Sequence, residues 1–365
     1  MKILVCPDKF KGSLTAIEVC NAIESGIKSI DGSIEVVKLP LADGGEGTLD
    51  LLEAVLDLKR QFVTVNDPLH RRISVYYLKN HDTAYIEMSK ASGLQLLKSE
   101  ERNPLLTSTF GTGELIAHAL GQGVKEIHLL IGGSATNDGG IGMANALGYD
   151  FLTKDGEKVT ANGAGLSFLN TVDSSKIHEG LNKVKFTVLS DVQNPLTGSN
   201  GASYVYGGQK GANEADIIML DKGLAHLAKM LNNGMESKPG AGAAGGLGYG
   251  AMSFLNAKIE SGIDGIMRML AFENHLKGAD LIITGEGKMD DQTASGKVIS
   301  GVSGIASSKN IPIGIICGIQ ERYTSSVDSN MVYQLMDLAK NLDDSMLNAK
   351  RYTEQLAFQM ITDFR

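Results

Sequence analysis

Residues able to do chemistry crowd into a few glycine-rich segments, and the richest is 131–142, Ile-Gly-Gly-Ser-Ala-Thr-Asn-Asp-Gly-Gly-Ile-Gly. It follows the apolar run 127–130, which reads as a buried strand. Glycines at such a point let the main chain approach a ligand and turn its N–H groups toward an anion. The interleaved hydroxyls, amide and carboxylate suit a small, hydroxylated, charged molecule. A tight turn before a helix would use the same residues, so the segment acquires meaning only because its pattern recurs.

It recurs at 8–13 (Asp-Lys-Phe-Lys-Gly-Ser), 42–48 (Ala-Asp-Gly-Gly-Glu-Gly-Thr), 190–195 (Ser-Asp-Val-Gln-Asn-Pro), 207–211 (Gly-Gly-Gln-Lys-Gly) and 284–290 (Thr-Gly-Glu-Gly-Lys-Met-Asp). Each couples a carboxylate, lysine or carboxamide with glycine or a turn. In an open parallel sheet, ligands collect at the carboxyl ends of strands, where most of these segments fall. The inventory suits holding phosphates and Mg²⁺ while a hydroxyl attacks, chemistry that needs positioning, charge neutralisation and one base. Individually the residues have plainer readings. Lys9 and Lys11 fit solvated lysines, Asp43 and Glu46 fit helix capping, and one of Asp290, Asp291 and Thr293 fits an N-cap for the helix containing Lys297.

Two patterns mislead. Residues 240–245, Gly-Ala-Gly-Ala-Ala-Gly, match the dinucleotide fingerprint letter for letter, but Glu-Ser-Lys-Pro precedes them and no strand does. Ser295-Gly296-Lys297 lacks the glycine and hydroxyl of a phosphate-binding P-loop. The seven histidines show no ligand spacing, and neither a Ser-His-Asp nor a zinc constellation stands up.

The elements that must position these groups alternate at both ends of the chain. Strand 2–6, a helix opening on a Thr15/Glu18 capping box, strand 34–39 and helix 49–56 predict a parallel sheet. Short strands at 62–65, 73–78 and 84–88 predict an antiparallel meander. Strands at 281–284, 313–317 and 332–338 restore the alternation, with helices near 297–308 and 345–364. The expected fold class is α/β: a Rossmann-like parallel sheet domain, 1–58 and 250–365, with a mixed α/β domain, 59–249, inserted, and the active site in the cleft between them.

At 365 residues the chain is long enough for two such domains. Its 44 glycines exceed the usual share and follow no collagen-like period. A net charge of −8 gives no basic stripe for nucleic acid. No apolar run approaches membrane-spanning length, the N-terminal apolar run is too short for a signal peptide, and Cys6, Cys20 and Cys317 lack metal spacing, so a cytoplasmic enzyme, monomeric or homodimeric, is expected.

Taken in order, the segments 7–14, 42–48, 111–116, 132–140, 190–192, 194–196, 208–212, 239–246 and 284–287 resemble the bacterial type of glycerate kinase. Each is weak alone and the ordered set is specific. Gly207-Gly208 departs from the family's Gly-Pro, a change of backbone stiffness, and position 9 is often serine in the family. The resemblance implies phosphorylation of D-glycerate, usually to 2-phosphoglycerate, using ATP and Mg²⁺. On that basis Asp191 is the expected base, Asp43 and Glu286 the metal ligands, and Lys11 and Lys297 the phosphate-neutralising cations. Gly44, Gly45, Gly47, Gly285 and Gly287 are expected at the nucleotide phosphates, and Ser134, Thr136, Asn137 and Lys9 at glycerate. A non-catalytic sugar-acid binding protein and a dinucleotide-dependent oxidoreductase are the competing readings; the misplaced fingerprint weakens the second.

Overall fold

The computed structural model describes residues 1–45, 47–289, 298–321 and 331–365. The chain divides into two compact units, the first made of Met1–Asp43, Ala54–Leu56 and Ser261–Arg365, the second of Gly44–Glu53 and Asp57–Glu260.

The first unit is built on a five-stranded sheet in the order Val332–Gln334, Ile313–Cys317, Leu281–Thr284, Lys2–Val5, Glu35–Lys38. Every pairing is parallel. Strand residues of period two face opposite sides. Ile3, Val5, Leu281 and Ile283 pack with Val19, Ile23 and Ile27 of helix Ala16–Ile30 and with Leu356 and Met360 of helix Ala349–Phe364. Ile315 and Cys317 pack instead with Ile299 of helix Val298–Lys309. The Thr15/Glu18 capping box is present: Glu18 N donates to Thr15 Oγ1 at 3.2 Å and Thr15 N to Glu18 Oε2 at 2.8 Å. The two long helices approach so closely that a Cβ on Gly26 would lie 2.3 Å from the Glu354 carbonyl oxygen.

The second unit holds a six-stranded sheet in the order Lys258–Glu260, Lys185–Leu189, Glu126–Leu130, Thr83–Glu87, Arg72–Lys79, Lys59–Asn66. The first four strands are parallel, and Arg72–Lys79 runs antiparallel to both its neighbours, so the meander is real. Its core combines Ile86, Ile127, Leu129, Val188 and Phe186 with Leu115 and Ile116 of helix Phe110–Gly121. A hairpin of Asp150–Leu152 and Thr171–Asp173 was not foreseen.

Both boundaries expected at 58/59 and 249/250 shift. Residues 250–260 join the second unit because Lys258–Glu260 pairs with Lys185–Leu189, and Gly44–Glu53 joins it as well. The glycine-rich stretch that begins at 240 runs into helix Ala243–Leu255, interrupted near its start by the left-handed residues Ala244, Gly245 and Gly246.

Candidate functional site

Each unit gathers polar groups at the carboxyl edge of its parallel strands. In the first unit, pairing continues past the strand ends: Cys6 N donates to Ile283 O and Asp8 N to Gly285 O, both at 2.8 Å, while Leu41 N reaches Pro7 O at 2.9 Å. Three loops therefore leave side by side. Gly285 is obligatory here, since a Cβ on it would lie 1.9 Å from Ile316 O. A Cβ on Gly287 would stand 3.0 Å from the Lys11 backbone nitrogen.

This convergence crowds acids together. Burial, then the charge of Asp43 and more weakly that of Glu286, raise the Asp8 carboxyl to about 7, against the pull of a 2.7 Å hydrogen bond from Lys9 N and the Lys9 charge. Glu286 is 5% exposed, so its carboxylate also sits in a poorly solvated place. Such a cluster calls for positive charge. Among the described residues no three His, Cys, Asp or Glu side chains are grouped as a metal cage. Mg²⁺ does not need one: it takes one or two carboxylates and completes its shell with water and phosphate oxygens. Asp43 and Glu286 fit that demand. Lys11 is exposed on the same loop as Lys9. Lys297 lies outside the described residues.

In the second unit, Ser190-Asp191 and Ile131-Gly132 leave neighbouring strands in register, because Leu130 pairs with Leu189. The 131–142 turn is organised by Asp138, which is fully buried and accepts from Thr109 N and Oγ1 (both 2.8 Å), Gly140 N (3.0 Å) and Gly142 N (3.3 Å). Burial nevertheless raises its carboxyl above the usual range, because desolvation outweighs those bonds. Lys210, 2% exposed, donates to Ser134 Oγ at 2.8 Å and to Thr136 O at 2.7 Å. Burial pushes the Lys210 ammonium down to about 7, opposed by the Asp138 charge. Ser134, Thr136 and Asn137 thus share one buried neighbourhood. Asn137 Nδ2 donates to Ser203 Oγ at 2.9 Å, while Asn137 Oδ1 and Thr136 Oγ1 are buried with no hydrogen-bond partner among the described residues.

A model of the glycerate kinase family matches residues 3–365. The glycerate kinase of Bacillus subtilis (strain 168) is 42% identical over 371 residues, covering 98% of this chain and 96% of the relative. The glycerate 2-kinase of Escherichia coli (strain K12) is 43% identical over 324 residues, 87% and 85% of the two chains. A crystal structure of a protein designated glycerate kinase 2 from Salmonella typhimurium LT2 superposes with a TM-score of 0.85 at 39% identity, covering 100% of this chain and 99% of that one.

The chain belongs to the glycerate kinase family. It is therefore a kinase, with the mixed α/β fold and parallel sheets of its relative.

Within this family member the expected site residues divide by unit. Asp43, Glu286, Lys9, Lys11, Gly285 and Gly287 belong to the first, and Asp191, Ser134, Thr136, Asn137, Gly44, Gly45 and Gly47 to the second. Lys9 lies by the Asp8 carboxylate, to which its main-chain N–H donates at 2.7 Å. The glycine loop also has a partner within the protein. Gly44 and Gly47 have the positive φ that favours glycine (81° and 88°), but the Gly47 N–H donates to Glu87 Oε1 at 3.2 Å and Leu49 N to Glu87 Oε2 at 3.3 Å. The N-terminus of helix Thr48–Val55 is thus already served by a protein carboxylate, 1% exposed, rather than offered whole to a phosphate.

The dinucleotide decoy is explained by packing. Gly245 O accepts from Gly139 N at 3.1 Å, and a Cβ on Gly245 would lie 2.0 Å from Thr136 O. These glycines let one main chain press against the other. Asp8, Glu87, Asp138 and Lys210 escaped the sequence reading as site residues. The strongest available signal was at Lys210, a lysine set directly against Gly211 in a glycine-bearing turn.

Proposed function

We propose that the protein transfers the terminal phosphoryl group of ATP to the 2-hydroxyl of D-glycerate. What carries the reading is the crowding of Asp8, Asp43 and Glu286 at the strand ends, negative charge suited to a phosphate-bound cation. The relatives named glycerate kinase and glycerate 2-kinase supply the acceptor. When bound, Mg²⁺ would offset charge on the transferring phosphate oxygens.

Asp43 and Glu286 hold that cation, directly or through water. Lys11 and Lys297 neutralise phosphate charge, helped by main-chain N–H groups near Gly44, Gly45, Gly47, Gly285 and Gly287. Ser134, Thr136 and Asn137, with hydroxyl and amide groups, bind glycerate, and Lys9 lends positive charge. Asp191 accepts the proton of the attacking hydroxyl as the new O–P bond forms and the bond to the ADP oxygen breaks. The buried free thiols of Cys6, Cys20 and Cys317 fit a reducing compartment. No helix among the described residues is long and apolar enough to cross a membrane.

A coupled ADP-release assay decides the reading: ATP consumption proportional to added D-glycerate is expected, and a rate indifferent to glycerate overturns it. Phosphorus NMR of the product identifies the hydroxyl. An Asp191→Asn variant with unchanged turnover would remove that residue from the mechanism.

A further inference from the structure

We propose that Lys210 is a positioning residue for the acceptor: by donating to Ser134 Oγ it turns the Ser134 hydroxyl into a hydrogen-bond donor for the acceptor's carboxylate. This rests on the assignment of Ser134 to glycerate made above. A serine hydroxyl has one proton and two acceptor sites. An ammonium can only donate, so at 2.8 Å it occupies one of those acceptor sites and polarises the O–H, whose proton must go elsewhere. A carboxylate is the strongest acceptor a three-carbon hydroxy acid offers.

The arrangement is rigid. Lys210 Nζ is fixed a second time by Thr136 O at 2.7 Å. Its turn, Gly208–Lys210, ends at Gly211 with a φ of 96°, and a Cβ there would meet Arg102 O at 2.1 Å. The serine is held from the other side, where Leu94 N donates to Gly133 O and Ala135 N to Ser92 O, both at 2.9 Å. The buried Thr136 Oγ1 and Asn137 Oδ1 supply the second observation. Orphaned polar atoms are rare in interiors, and two in successive residues beside Ser134 mark a place that a polar ligand completes.

The protonation of Lys210 gives the proposal a signature that a purely structural lysine lacks. A neutral amine has a lone pair and can accept the Ser134 proton, turning the hydroxyl inward. The charged group acting on Lys210 is Asp138, which favours the ammonium. The KM for D-glycerate should therefore rise as pH climbs through about 7, while the KM for ATP stays level.

The test compares the wild type, Lys210→Met, Ser134→Ala and the double variant in the ADP-release assay from pH 6 to 9. Each single variant should raise the glycerate KM about tenfold, and the double variant should lose little more than either. The pH dependence of the wild-type KM should vanish in Ser134→Ala. Additive losses, an unchanged glycerate KM in either single variant, or a wild-type KM flat across that range would overturn the proposal. Because Ser134→Ala leaves the buried lysine in place, the KM and pH readouts survive if Lys210→Met does not fold. Failure of the wild type to consume ATP with glycerate would sink the functional reading instead, so the two failures are distinct.

Discussion

Acids meet acids at the strand ends of the first unit, whereas in the second a buried acid and a buried lysine are both satisfied from within. Asp8 is raised by its burial and by two neighbouring carboxylates, with Lys9 pulling the other way. Asp138 has four protein donors, and Lys210 has two protein acceptors. The contrast separates two ways of building a site. Carboxylates crowded at strand ends suit a cation that arrives with the ligand. Charge already compensated holds a preformed shape, whose use is to orient hydroxyls and amides.

The comparison predicts different consequences for removing a carboxylate in the two regions. Asp138→Ala abandons four donors and leaves Lys210 without its charged neighbour, so denaturant unfolding should show a loss of about 3–5 kcal/mol. A loss below 1 kcal/mol would mean that the second region is not held as described. Glu286→Ala should leave the fold nearly intact and instead lower kcat/KM about 10²–10³-fold, with a raised Mg²⁺ requirement. An unaltered Mg²⁺ titration would break the assignment of the first region to a cation.

Much of this was legible because glycine-rich turns after apolar strands are local features. The capping box at Thr15, the meander and the strands at 281–284 and 313–317 all rest on neighbours in sequence. The unit boundary was not legible, since Lys258–Glu260 is three residues long and becomes a strand only by pairing with Lys185–Leu189. Glu87 and Lys210 were hidden for a related reason. Their importance comes from burial beside groups some 40 and 75 positions away, and lysine and glutamate ordinarily stay in water. Asp8 was quoted within its motif, yet nothing local shows that Asp43 and Glu286 press on it.

The first region can be sharpened through pH. The folded Asp8 carboxyl titrates near 7 and the unfolded one near 3.8, so between those values the folded state keeps a proton that the unfolded chain has lost. Wild-type stability should fall as pH rises through that window, and Asp8→Asn should not share the fall. At pH 8 the variant should be the more stable by on the order of 2 kcal/mol, with little difference at pH 4. Adding Mg²⁺ at pH 8 should narrow the gap by stabilising the wild type. A variant less stable than wild type at pH 8 would show that the neighbouring carboxylates do not govern the Asp8 carboxyl.

The smallest effect probes how the second region's shape is kept. Ala244 sits at φ 54°, followed by Gly245 at 68° and Gly246 at 86°, a left-handed run that brings Gly245 against Thr136 O. A left-handed conformation costs a residue with a Cβ roughly 1–2 kcal/mol, while glycine loosens the unfolded chain by about 0.4–1 kcal/mol. Ala244→Gly should therefore be neutral to stabilising, by less than about 1 kcal/mol in denaturant unfolding. The Mg²⁺ requirement should not move, because the strain lies outside the unit proposed to hold the cation. A clear loss of stability would mean that the Ala244 methyl packs well enough to outweigh its backbone. The preformed shape would then rest on that contact as much as on the glycines beside it.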